Sequence, residues 1–350
     1  MPNPNFDQIA TTTLQRYRPR FADAVTDKSA VMFNIKKRGG VEEQAGGRTL
    51  VEPVIFGENT TVGSYRDFDK LPTDPQEGMT SSEYPWASLS GSLVISGRQE
   101  FINAENKTRV LSLLKGKTMQ LQMTVTNEFN RQSHSDGSGN GGKDITGFLA
   151  SIENGAAWNV YGGIDSNLDL WWRNQWIGFD AFASARLANT THLQELDQDY
   201  RVFRQVLTTF YNSCMRNTDK LKLMLTGQRV HEYFESSVVT NERYVKQGNM
   251  SDANLANANF ENLLFKSVPV VMDNLVPNTS IAASALNQEL IGLNTDFIKL
   301  IIGSGRNFVM TEFIRPPDQD AKIAQMILFT QYTTQLRDLQ GRMDDIDFAA

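Results

Sequence analysis

Two stretches of this 350-residue chain carry residue types and spacings that could do chemistry. Gly137–Asp144 reads GSGNGGKD and fits both G-x-x-x-x-G-K and G-x-G-x-x-G, patterns whose glycines cradle phosphate. Such a cradle works between a strand and a helix N-terminus, with a hydroxyl after the lysine for Mg²⁺. Here a helical stretch precedes the loop and Asp144 replaces the hydroxyl, so a carboxylate would face the phosphates. A nucleotide site at 137–143 is therefore the outside reading, and a plain glycine-rich link the simpler one. Asp165-Ser166-Asn167-Leu168-Asp169 copies the first half of a calcium loop. Leu170 and Trp176 occupy the positions of the turn glycine and the bidentate glutamate, which leaves a polar surface turn.

The remaining chemistry-bearing residues are scattered. His134, His192 and His231 have no metal-ligand spacing. His134 falls in the glycine-rich link and His192 at a helix edge, where solvated or capping roles are expected. Cys214, the single cysteine, lies on an apolar helical face and reads as an inert core thiol. It excludes an intrachain disulfide and fits cytoplasmic synthesis. Asp318 and Asp320 make a turn pair; Asp344, Asp345 and Asp347 an acidic, frayed tail. Trp171, Trp172 and Trp176 could stack a sugar or base, although tryptophan is also an interface favourite, and a buried core or interface anchor is the stronger reading. The sequence thus offers no catalytic, cofactor-binding or metal-binding residues.

The elements around these residues are better defined. Phe101–Arg131 has no proline and one glycine, Gly116. Val110, Leu111, Leu113, Leu114, Thr118, Leu121, Val125 and Phe129 share one side at helical period, which predicts a spine helix of about 45 Å. Its opposite side, with Met119 and Met123, is nearly uncharged and free for a neighbour. Gly116 costs such a helix about 1 kcal/mol, which suggests a close backbone approach there. Residues 1–48 hold eight basic side chains against five acidic ones in a chain of net charge -6, and are too polar to form a core. They read as an arm.

Thr49–Phe56 and Trp86–Ser96 read as the strands of a long hairpin, with Pro53 favouring an edge. Gly57–Pro85 between them is polar but carries Tyr65, Phe68, Leu71 and Tyr84. A loop of that length is functional or disordered, and these side chains are too apolar for disorder; it needs a partner surface. Residues 145–278 alternate helix (Thr191–Met215, Gln228–Ser236) and strand (Leu221–Thr226, Pro269–Met272), an α/β pattern. From Glu289 the chain is strand-rich, with long strands Phe308–Arg315 and Ala321–Thr334 about the turn Pro316–Asp320. No apolar run approaches the about 20 residues of a membrane helix, and no signal-peptide core opens the chain. The negative net charge argues against general nucleic-acid binding.

Several of these segments resemble the major capsid proteins of tailed bacteriophages. They are ATTTLQRYRPRFADAV (10–25), GGRTLVEPVIFGENTTVGSYRDFDKLPTDPQEGMTSSEYPW (46–86), YGGID with WWRN (161–165, 171–174), FENLLFKSVPVVMD (260–273), LNTDFIKLIIGSGRNF (293–308) and RPPDQDAKIAQMILFTQYTTQLRDLQG (315–341). The resemblance implies an α+β shell fold with an N-terminal arm (1–47), an extended β-hairpin loop (48–96), a peripheral domain (97–144 and 285–350, spine helix 101–131) and an α/β axial domain (145–284). It implies hexamers and pentamers closing into an icosahedral head around double-stranded DNA, made in a host bacterial cytoplasm and located in the virion. Non-specific contact with packaged DNA, no membrane, and portal and decoration proteins go with that reading. A separate scaffolding protein is expected because the chain starts almost directly at the arm. Arg18, Arg20, Tyr65, Arg66, Phe68, Asp69, Lys70, Tyr84 and Trp86 are the expected assembly contacts. Lys70 and Asn307 match in residue type the lysine–asparagine bond of some relatives, without an identifiable catalytic carboxylate. A cargo-enclosing nanocompartment of the encapsulin kind uses the same fold and stays open as the alternative.

Overall fold

The computed structural model describes residues 29–99, 107–155, 158–179, 195–239, 262–276 and 288–346. In chain order the elements are α1 (Ala30–Lys37), β1 (Val41–Gln44), β2 (Thr49–Ile55), β3 (Met79–Pro85), β4 (Ala87–Ser96) and α2 (Lys107–Ser133). Then come β5 (Val160–Tyr161), β6 (Ile164–Asp165), β7 (Gln175–Gly178), α3 (Glu195–Ser213), β8 (Leu223–Thr226) and α4 (Gln228–Val239). The last are β9 (Asn262–Phe265), β10 (Val268–Met272), β11 (Gln288–Leu293), β12 (Ile298–Gly303), β13 (Val309–Met310), β14 (Ala321–Thr334) and β15 (Gly341–Ile346). Among the described residues no helix is long and apolar enough to cross a membrane.

β14 organises the first sheet. β4 pairs antiparallel along one side of it, β12 and β13 pair along the other, and β1 joins β12 in parallel. The spine helix α2 lies on β4. Leu114, Thr118, Val125 and Phe129 are buried on its inner stripe, while Met119 and Met123 are half exposed. The hydroxyls of Thr118, Thr126 and Ser133 donate to carbonyls one turn back, at 2.8 Å in each case, so the polar residues of the stripe carry no unmet donor. The expected close approach at Gly116 does not occur: a Cβ there would meet nothing within 4 Å. The approach is made at Gly91 of β4, where a Cβ would come 2.7 Å from Leu121. A strand glycine makes room for a helix leucine, not the reverse.

The second sheet runs β7-β15-β11-β8-β10-β9, with the β8/β10 and β7/β15 pairs parallel. α3 and α4 pack against it through Phe203, Leu207, Phe210, Cys214, Val230 and Phe234. Met215, the expected last residue of this helix, is 44% exposed because α3 ends at Ser213 and the helical period lapses. The two sheets share a core in which Val125, Phe129 and Phe148 meet Leu223, Ile291, Leu300 and Tyr332.

Four expectations are corrected by these pairings. β11 and β15 lie within 285–350, expected to be peripheral, yet they are inner strands of the second sheet. The expected frayed acidic tail therefore includes β15, with Met343 and Ile346 buried and Asp344 accepting from the Trp176 indole at 2.8 Å. Part of the expected arm is folded onto its own subunit: Ala30, Val31, Met32 and Ile35 are buried in the shared core, and β1 extends the first sheet. One apolar face on a short helix is enough to bury it, however polar the flanks. Finally, β2 pairs with β3, not with Trp86–Ser96, which runs along β14 in the first sheet.

Candidate functional site: an outreaching ribbon and its foot

β2 and β3 form a two-stranded ribbon separate from both sheets. Its alternation decides what each side does. Leu50, Glu52, Val54, Ser82 and Tyr84 turn inward, while Val51, Ile55 and Met79 are 56%, 66% and 69% exposed. At the foot, Leu50, Val54 and Tyr84 pack with Tyr161, Ile164, Trp172 and Ile301. The Tyr84 hydroxyl donates to the Thr334 carbonyl at 2.9 Å, and burial together with the neighbouring Tyr161 pushes that phenol well above its ordinary range. Glu52 is buried and receives Thr333 Oγ1 at 3.3 Å and Gln335 Nε2 at 2.7 Å. The β5/β6 hairpin braces β3. Its turn glycine Gly162 has φ 61°, accepts from the Glu83 amide at 2.9 Å, and has no room for a Cβ against Tyr84 and Ser82.

Beneath the foot lies Arg337, a residue that sequence reasoning did not single out. It is 1% exposed, donates to the Ser151 carbonyl at 2.8 Å and the Ser166 hydroxyl at 2.6 Å, and approaches Glu153 at 3.2 Å. Its guanidinium lies 5.0 Å over the Tyr161 ring and 5.8 Å from that of Trp172. Burial lowers its pKa, against the opposing pull of Glu153. A buried arginine leaves little trace in periodicity; its only sequence signal is a cation following a long apolar strand.

Beyond the foot the ribbon carries itself. Phe56 and Gly57 amides donate to the Gly78 carbonyl, and Gln76 reaches back to the Thr60 amide and hydroxyl at 3.2 and 2.9 Å. At the end, the Asp69 carboxylate accepts from the Arg66 amide and the Asp69 amide donates to the Arg66 carbonyl, both at 2.8 Å. Tyr65, Phe68 and Leu71 are 66%, 101% and 58% exposed, and Val62 is 82% exposed. Pro53 removes a donor from the outer edge of β2, which discourages indiscriminate strand pairing.

The predicted contacts therefore divide. Tyr65, Arg66, Phe68, Asp69 and Lys70 cluster at the exposed tip. Tyr84 is committed inside its own subunit, a correction that follows from its inward register on β3. Trp86 is half-buried and donates to the Gly47 carbonyl at 3.0 Å. Arg18 and Arg20 lie outside the described residues, as does His192.

The scattered chemistry resolves into structure. Asp144 pairs with Arg131 at 3.2 Å and its carboxylate fills the space beside Gly139. Asp165 accepts from the Asn167 amide at 2.8 Å within a turn. Cys214 is buried, which pushes its thiol up to about 12. Of the solvated or capping roles expected for His134, the solvated one is corrected: it is buried, with Nδ1 2.9 Å from the Asn130 carbonyl in the last turn of α2 and Nε2 3.1 Å from Asp273. Burial alone would raise the Asp273 carboxyl; the hydrogen bond and charge of His134 outweigh it and hold the carboxyl below its ordinary range. Among the described residues no three acidic, histidine or cysteine side chains gather as a metal site would require.

No protein-family model matches the sequence, and no curated protein matches it. Solved structures do match the fold. The capsid asymmetric unit of cyanophage A-1(L) aligns with a TM-score of 0.60 at 15% identity, over 91% of this chain and 93% of that one. The capsid of Myoviridae phage XM1 aligns at 0.50 and 9% identity, over 88% and 90%. The capsid of an empty GTA particle gives 0.50 and 10%, over 91% and 90%. At such identities the likeness is one of fold, and the α+β fold is that of the tailed-phage capsid shell.

Proposed function

We propose that this chain, built on the shell fold of tailed-phage capsids, is a major capsid protein that assembles with copies of itself into hexamers and pentamers of an icosahedral head. Its work is binding, not turnover. The observation that carries the reading is the ribbon: a firmly bonded foot delivering a tip whose apolar side chains stand exposed. Exposed apolar surface of this extent on an ordered projection marks an interaction site, and a standard interface buries about 1,600 Å². Many modest contacts per subunit hold a closed shell together. The head would enclose double-stranded DNA in the virion, with scaffolding, portal and decoration proteins as partners and host cytoplasm as the place of synthesis.

The test is excision of Glu58–Glu77. Gly57 and Gly78 already share a hydrogen bond, and a Cβ on Gly57 would lie 3.0 Å from Gly78 Cα, so the two can be joined as a tight turn. The shortened chain should be soluble, folded and unable to form shells in electron microscopy. Normal particles would refute the proposal. DNA in particles made by the intact chain during infection distinguishes a virion head from a cargo compartment.

A further inference from the structure

Four of the chain's five tryptophans, Trp158, Trp171, Trp172 and Trp176, line one groove of about 450 Å³ beside the ribbon's foot. Three of the four rings already carry a partner. Phe56 stacks on Trp171 at 4.8 Å and 18°, Arg173 lies 4.8 Å over Trp158, and Trp172 is buried beside Tyr161. That leaves little tryptophan surface for a planar sugar or base to stack on, the 40% exposed Trp176 ring apart. What remains is an apolar slot with Leu170 (65% exposed) and Ile55 on its walls and Arg216 and Asp338 paired at 3.1 Å on its rim.

We infer that this groove receives Phe68 from the ribbon tip of a neighbouring copy. The inference rests on the assembly reading above and names the surface that the tip engages. Phe68 is wholly exposed, so no part of its own chain holds it, and the Arg66–Asp69 turn fixes it at the apex before any partner arrives. Ile55 and Phe56 belong to the groove and to the ribbon at once. An incoming ribbon would therefore lie along the first one's exposed Val51, Ile55 and Met79, extending a single interface. The tip also brings both signs of charge beside Phe68, Arg66 and Lys70 with Asp67 and Asp69, to a rim that offers both, Arg216 and Asp338. Tip and groove are different surfaces on every copy. Their contact is head-to-tail, the kind that closes into rings, and a buried aromatic anchor is the usual centre of such contacts.

The test places one cysteine on each side, Phe68→Cys in one full-length chain and Leu170→Cys in another. The native Cys214 is buried and contributes little background. Co-assembled and oxidised, the two variants should give a disulfide dimer that mass spectrometry maps to 68–170, and the double variant should give a ladder of rings. Wild-type shells together with mixed shells lacking that bond, or bonded 68–68, would overturn the inference and leave the assembly reading intact. Failure of the wild type to form shells would overturn both. If the cysteine chains do not assemble, a cyclic peptide spanning Ser64–Thr73 decides, titrated onto the wild-type chain. It should shift tryptophan emission, with the shift lost in Leu170→Arg; no shift on the wild type would overturn the inference.

Discussion

The foot and the tip of the ribbon lie in one continuous stretch of chain and follow opposite rules. At the foot, aromatic residues and the arginine beneath them are buried and bonded: Tyr84 to Thr334, Trp172 to Tyr161, Arg337 to Ser151 and Ser166. At the tip, aromatic residues are exposed and the turn is bonded within itself, through the Arg66 and Asp69 backbone and the Asp69 carboxylate. Residue type does not distinguish the two. What does is whether another part of the same chain arrives to cover them, and on the proposed reading the difference marks where the folded chain ends and an assembly would begin. Damage at the foot should therefore be measured as lost stability, and damage at the tip as lost association.

The largest effect should come from Arg337→Met. It strands Glu153, 8% exposed, without its cation and removes a ring contact beneath both Tyr161 and Trp172. Breaking a buried pair from one side costs about 3–5 kcal/mol, to be read from urea denaturation; adding Glu153→Gln should recover part of it. A smaller loss, about 2 kcal/mol for a hydrogen bond to a charged group, is expected for His134→Ala, which frees Asp273 at the joint between α2 and the second sheet. That joint carries a pH signature. Because the Asp273 carboxyl is held below its ordinary 3.8, its contribution is complete above that value and fades as pH falls through the depressed one. Asp273→Asn should flatten the acid limb of a stability-against-pH curve. Tyr84→Phe, which removes only the hydroxyl bonded to Thr334, should cost about 1 kcal/mol.

The fold's outline was legible wherever one face had to be buried by its own element. The spine stripe from Leu114 to Phe129 reads directly at helical period, and β14 was placed from Ala321 to Thr334 with the bounds it has. What failed were inferences about partners. Trp86–Ser96 reads as strand, but nothing in its alternation says that it pairs with β14 and leaves β2 to β3. The acidic DDID of the C-terminal segment looks solvent-seeking, although Arg342 beside it pairs with the buried Glu289. Local pattern names the element; the neighbour across the sheet is set by chain closure at long range. At the candidate site, the tip residues stand out in the sequence because aromatics in a polar loop are conspicuous. Tyr84 was misassigned because register, which turns alternate residues inward, was not fixed by the sequence.

The tip offers the smallest expected effect on the subunit and for that reason the sharpest test of the comparison. Val62→Ser, Tyr65→Ser and Leu71→Ser together remove three exposed apolar side chains that take no part in the buried clusters of this chain. Surface changes away from caps, cores and strained positions stay within about 0.5 kcal/mol, so the urea midpoint of the isolated chain should not move. Assembly monitored by light scattering should nonetheless be lost, because the altered side chains are those a neighbour would cover. If stability fell as it does in the foot variants, the tip would have been packed against its own subunit in solution, and the division between foot and tip would not hold. An unchanged midpoint with abolished scattering would place the boundary between folding and assembly within the ribbon, beyond the Gly57–Gly78 crossing where its paired strands end.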